Sequence, residues 1–74
     1  MSKIKIHLDT GADVAKFVAT MSAFKEDIYL TNNVNYRVNA KSLMGVMYAS
    51  SEWGGELYVD SESDLYYAVR EFRD

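Results

Sequence analysis

Asn39-Ala40-Lys41-Ser42-Leu43-Met44-Gly45-Val46-Met47 is the most specific stretch in the chain. Ser42 has the hydroxyl of a good helix N-cap, able to accept a backbone N–H from the first turn. The apolar residues behind it predict a short helix from Ser42 to about Tyr48. Gly45 weakens a helix interior by about 1 kcal/mol, so packing must hold this turn. Val46 takes the core position, which Leu43 can share. A helix of two turns cannot bury every side. Met44 is therefore expected at the surface, with Met47 the next candidate, and methionine there suits an adaptable partner surface.

Upstream of this stretch, Asn35 to Asn39 predicts a strand with Tyr36 and Val38 inward and Arg37 outward. Asp27 to Thr31 predicts another, with Ile28 and Leu30 inward and Tyr29 outward. Asn32-Asn33 between them predicts a tight turn, because asparagine tolerates positive φ, so the two strands form a hairpin. Further back, Thr10-Gly11-Ala12-Asp13 fits a capping box. Val14, Phe17, Val18 and Met21 then recur at helical spacing and predict a helix ending near Ser22 or Ala23. At the N-terminus, Lys3 to Leu8 alternates strictly. Ile4, Ile6 and Leu8 lie on one face and Lys3, Lys5 and His7 on the other, as in a half-buried strand.

Downstream, Trp53-Gly54-Gly55 is a turn signal. Glu56 to Val59 predicts a fourth strand with Leu57 and Val59 inward. Ser61 and Asp64 match a second capping box, and Leu65, Ala68, Val69 and Phe72 make the stripe of a last helix. The order is β-α-β-β-α-β-α, an α+β fold in a single domain over residues 1–74. Two split β-α-β units of this kind give a four-stranded antiparallel sheet with three helices on one face. The other face stays open, showing Lys3, Lys5, His7, Tyr29, Arg37 and Tyr58.

Composition bounds the function. The chain of 74 residues is 49% hydrophobic and 14% aromatic, a globular composition, and it has no cysteine for disulfides or a thiolate metal site. A domain this small and without staples relies on its apolar core for a stability of about 5 kcal/mol. The net charge of −3 argues against a direct nucleic-acid surface. No apolar run approaches the length of a membrane span, and Met1-Ser2-Lys3-Ile4-Lys5-Ile6-His7-Leu8 has no signal-peptide core, so a soluble cytoplasmic protein is expected.

The Asn39–Met47 stretch resembles the segment around the regulatory serine of HPr, the small phosphocarrier of the bacterial phosphoenolpyruvate-dependent sugar phosphotransferase system. The family has the same element order, so the resemblance spans nearly the whole chain and implies an HPr-like open-faced sandwich. It also implies that Ser42 is a site of regulatory phosphorylation by a kinase resembling the HPr kinase. Leu43, Met44 and Met47 would then dock protein partners. Those partners are expected to be proteins of the phosphotransferase system or a catabolite-control regulator.

The family's chemistry is a phosphoryl relay through a histidine just before the first helix, in a His-Ala-Arg-Pro run after a Thr-Gly or similar pair. Here the run reads Asp9-Thr10-Gly11-Ala12-Asp13-Val14-Ala15. The Thr-Gly is present, but no His, Arg or Pro follows. The loop reads as about three residues short, and Asp13 would repel a phosphate at this helix N-terminus. His7, the only histidine, falls on the outward face of the first strand. The expectation is a divergent member lacking the relay histidine, not an enzyme, with a regulatory or adaptor role through the Ser42 helix. The alternatives are a phosphocarrier with an unrecognised acceptor and a repurposed protein-binding module in which Ser42 is a plain cap.

The remaining signals have structural readings. Trp53 caps a core edge near the Gly-Gly turn. Tyr29 and Tyr58, with Lys5 and Arg37, form either cross-strand pairs or a binding surface, and the pairs are favoured. The acidic run Asp60-Ser61-Glu62-Ser63-Asp64 suits a helix start better than a metal site. With no Gly-rich phosphate loop, metal-spaced histidine cluster or Ser-His-Asp set, no cofactor and no metal are expected.

Overall fold

Alternation and helical stripes resolve into a four-stranded sheet and two helices in a computed structural model that describes residues 2–32, 34 and 36–73. The elements are β1 (Ser2–Ile6), α1 (Gly11–Ser22), β2 (Tyr29–Thr31), β3 (Arg37–Asn39), α2 (Leu43–Glu52) and β4 (Leu57–Ser61). The strands run antiparallel in the order β1-β4-β2-β3. Register places Ile4, Val59, Leu30 and Val38 in one cross-strand row, flanked by Ile6 opposite Leu57. These residues face the helices, and a single cluster joins Ile6, Leu30, Leu57 and Val59 to Val14, Phe17 and Met21 of α1 and Val46 and Ala49 of α2. Burying this shared apolar face is the main stabilising term of the domain.

The capping box forms as expected. Thr10 Oγ1 accepts the Asp13 N–H at 3.1 Å, and Asp13 Oδ2 accepts the Thr10 N–H at 3.2 Å. α2 runs to Glu52, beyond the expected end near Tyr48, because Ala49 is buried and Trp53 packs against the core. Gly45 has a packing reason. A Cβ there would lie 3.3 Å from the Val38 Cβ, so the missing side chain lets α2 sit close on β3. Gly54 and Gly55 both have positive φ, and they turn the chain from α2 into β4.

Several expectations are corrected. The predicted third helix is a series of turns among the described residues. Val69 N–H bonds to the Leu65 carbonyl, but Arg70 and Phe72 bond only three residues back, to Tyr67 and Val69. Ser61 is used as the last residue of β4, so its Oγ accepts from Ser63, two residues on, and no capping box with Asp64 forms. The far end of the segment is drawn to the sheet, where Ile6 bridges Arg73 and the Phe72 carbonyl accepts the His7 N–H at 2.7 Å. The expected stripe nevertheless faces the core, with Leu65, Val69 and Phe72 buried and Ala68 packed against them.

Tyr36, expected inward, is 66% exposed. It precedes β3, and its carbonyl closes the connection by accepting from Asn32 N–H and Thr31 Oγ1, so strand alternation does not extend to it. Leu43 is exposed and does not share the core with Val46. Strand ends also shift, with β1 stopping at Ile6 and β4 continuing to Ser61. The expected roles of Asn33 in a turn and Asn35 at a strand start lie outside the described residues.

Candidate functional site

α2 presents two opposed faces. Val46 and Ala49 point into the core, and Gly45 lies against Val38. On the far side Leu43, Met44, Met47 and Tyr48 are 48%, 82%, 53% and 58% exposed. Residues three and four apart are neighbours on a helix, so Leu43–Met47 and Met44–Tyr48 form adjoining rows of one apolar patch. The three sequence-predicted docking residues thus come together. Tyr48 joins them and was missed, although its place four residues after Met44 marks it.

At the head of this patch Ser42 adopts the extended backbone of an N-cap, and its Oγ accepts the Gly45 N–H at 3.2 Å. No acidic residue occupies the first turn of α2. Just upstream, Asn39 Oδ1 accepts the Lys41 N–H, while Lys41 Nζ donates to the Phe24 carbonyl. These bonds hold the Asn39–Ser42 turn in place ahead of the helix. A half-buried Ser42 hydroxyl therefore sits beside first-turn N–H groups with a favourable dipole for negative charge.

The N-terminus of α1 has the opposite electrostatics. Asp13 Oδ2 accepts both the Asp9 and Thr10 N–H groups, so a carboxylate already neutralises that end. His7 lies beyond β1 with an exposed side chain, separated from α1 by Leu8, Asp9 and Thr10. Residues expected on the open sheet face are there: Lys3, Lys5, His7 and Arg37 are exposed, and Tyr29 and Tyr58 are half-buried. The Arg37 guanidinium stacks 4.1 Å above the Tyr29 ring, and Tyr58 donates to Glu56. These contacts are side-chain pairs that stabilise a sheet surface.

Two open grooves flank the sheet. One, of about 510 Å3, is lined by Glu26, Asp27, Tyr29, Arg37, Asp60, Ser61 and Glu62. The acidic run therefore borders a groove and does not start a helix. In it a hydrogen bond from Ser63 holds the Glu26 carboxyl below the ordinary range, with its own backbone and the Lys41 charge adding to the effect. The other, of about 450 Å3, lies between Asn32, Tyr36, Arg37 and Val38 on one side and Tyr48, Glu52 and Trp53 on the other. Among the described residues no group of three His, Cys, Asp or Glu side chains converges as a metal site. No helix among them is long and apolar enough to cross a membrane.

Comparison with known proteins agrees with this architecture. A family profile described as "PTS HPr component phosphorylation site" matches residues 3–71. The crystal structure of HPr-C-His from Thermoanaerobacter tengcongensis superposes with a TM-score of 0.66 at 33% identity, covering 93% of this chain and 81% of that one. No curated protein matches. With the profile spanning the sheet, both helices and the Ser42 turn, the chain belongs to the HPr family, the phosphocarriers of the sugar phosphotransferase system.

Proposed function

We propose that this HPr-family chain is a non-catalytic regulatory or adaptor protein that meets its partners through the Ser42 helix. The observation that carries the reading is the apolar patch of Leu43, Met44, Met47 and Tyr48 directly behind a serine cap. Phosphate on Ser42 would meet first-turn N–H groups and a favourable dipole, so the fold accepts it. It would place about two negative charges beside the patch and alter recognition rather than folding. The partners are proteins of the phosphotransferase system or a catabolite-control regulator, the modifying enzyme is an HPr kinase-like protein, and the setting is the bacterial cytoplasm. The α1 end supports the absence of a histidine relay, since Asp13 bonds the Asp9 and Thr10 N–H groups and sets a negative charge at the helix terminus, which would repel a phosphoryl group.

Three assays test this reading. Incubated with an HPr kinase and ATP, wild type should label and Ser42→Ala should not; equal labelling of both sinks the regulatory site. Met44→Asp should lose partner capture while keeping the wild-type melting curve. Incubated with enzyme I and phosphoenolpyruvate, the protein should stay unlabelled. Acid-labile phosphate on His7 would establish a phosphocarrier with an unusual acceptor instead.

A further inference from the structure

The two edges of the sheet are finished differently. β1 is covered at its C-terminal end, where Ile6 bridges Arg73 and His7 N–H bonds to the Phe72 carbonyl. β3 ends the strand order, and among the described residues no strand pairs with its outer side. Its hydrogen-bond phase follows from two bonds. Asn32 N–H reaches the Tyr36 carbonyl and Ala40 N–H reaches the Ile28 carbonyl, so Tyr36, Val38 and Ala40 turn their backbone groups toward β2. Antiparallel alternation then aims the N–H and C=O of Arg37, and the N–H of Asn39, away from the sheet. Beside this edge lies the groove of Tyr36, Val38, Tyr48 and Trp53.

We infer that the outer edge of β3 and the adjoining Tyr36–Tyr48–Trp53 groove take an extended partner peptide as a fifth, antiparallel strand, with an acidic side chain opposite Arg37 flanked by apolar ones. The side chain paired with Arg37 shares its face of the sheet, where opposite charge is favourable. Its two neighbours point to the other face, toward Val38 and the aromatic groove. Main-chain bonds at Arg37 supply affinity, and the alternating pockets supply selectivity. A second copy of this chain fits less well. A two-fold pairing at Arg37 sets like charges opposite each other, and an offset of two presents Asn39, whose carbonyl already accepts Ser42 N–H at 3.0 Å.

The test uses the full chain and two peptides, acetyl-Thr-Ile-Glu-Val-Thr-amide and its Lys-for-Glu counterpart. Amide NMR shifts and the emission of Trp53, the only tryptophan, report binding. The Glu peptide should move the Arg37 and Asn39 amides and Trp53 emission, and it should bind about two- to fivefold tighter than the Lys peptide. Arg37→Glu, a change at an exposed side chain, should reverse that order. Equal binding of both peptides, or no change at Arg37 with millimolar peptide, overturns the proposal. So do β3 shifts that follow protein concentration alone, which would assign the edge to a second copy.

Discussion

The two helix N-termini use the same hydroxyl cap and end in opposite electrostatic states. At α1, Thr10 caps Asp13 N–H, and the Asp13 carboxylate returns to bond Thr10 and Asp9. At α2, Ser42 caps Gly45 N–H and nothing returns, because the position three residues after the cap is a glycine. One end carries its own permanent negative charge. The other has a hydroxyl where a charge can be added. The difference gives the first terminus a built-in electrostatic partner and leaves the second able to accept a negative charge. It also explains how α2 tolerates a weak local sequence: packing on β3 replaces the acidic half of the cap.

That last point gives the largest expected effect. Gly45→Val pushes a branched side chain toward Val38, where even a Cβ would lie at 3.3 Å. It should destabilise the domain by about 1–3 kcal/mol through overpacking. Gly11→Ala in the first turn of α1 meets nothing within 4 Å and should change stability by no more than about 0.5 kcal/mol. Urea denaturation of the two variants measures the contrast. A Gly45→Val midpoint equal to wild type would mean that α2 is not held by its close approach to β3.

Cap removal comes next. Thr10→Ala and Ser42→Ala should each cost about 1 kcal/mol, since each deletes one hydroxyl acceptor. Charge then separates the ends. Asp13→Asn should lose about 0.3–1 kcal/mol at low salt, and the loss should shrink as salt is raised. Ser42→Asp should recover more than Ser42→Ala loses in the cap, because it supplies both an acceptor and a charge at a terminus with no acidic residue in its first turn. Thermal melts at low and high salt read both effects. If Ser42→Asp melts below Ser42→Ala, the α2 terminus does not favour negative charge, and the proposed tolerance of phosphate falls with it.

How far the sequence carried depended on how local each interaction is. Thr10 and Asp13 find each other within one turn, and Ser42 reaches Gly45 within one turn, so both caps were legible from spacing. Sheet alternation was legible where strands are regular, as at Lys3, Ile4, Lys5 and Ile6. It failed at Tyr36, where the chain is already bending back through bonds to Asn32 and Thr31. The third helix failed for a longer-range reason. Its stripe was read correctly, but Phe72 meets Phe17 edge to face at 5.4 Å and gives its carbonyl to His7, contacts from α1 and from the residue after β1 that no local window contains. Arg70 and Arg73 also stack on Tyr67 and Tyr66, fixing the turns in place. Of the site, the serine and the exposed Leu43, Met44 and Met47 came from one nine-residue stretch. Tyr48 lay within the expected helix, four residues after Met44, and was overlooked, whereas the open edge of β3 required the strand order.

The smallest expected effect ties α1 to those C-terminal turns. Lys16 of α1 pairs with Glu71, both side chains more than half exposed. The hydrogen bond and charge of Lys16 hold the Glu71 carboxyl below the ordinary glutamate range. The unfolded chain therefore binds this proton more readily than the folded one. The stabilisation is present at neutral pH, above the unfolded pKa of about 4.3, and is lost as pH falls through the lower folded value. Glu71→Gln should match wild type in strong acid and fall slightly below it near neutrality, and high salt should erase the gap because an exposed pair is readily screened. Chemical denaturation across the acid range checks this. A gap that persists in high salt, or that widens as pH falls, would show that Glu71 contributes through packing rather than through its charge, and that α1 holds the C-terminal turns by Phe17 and Phe72 alone.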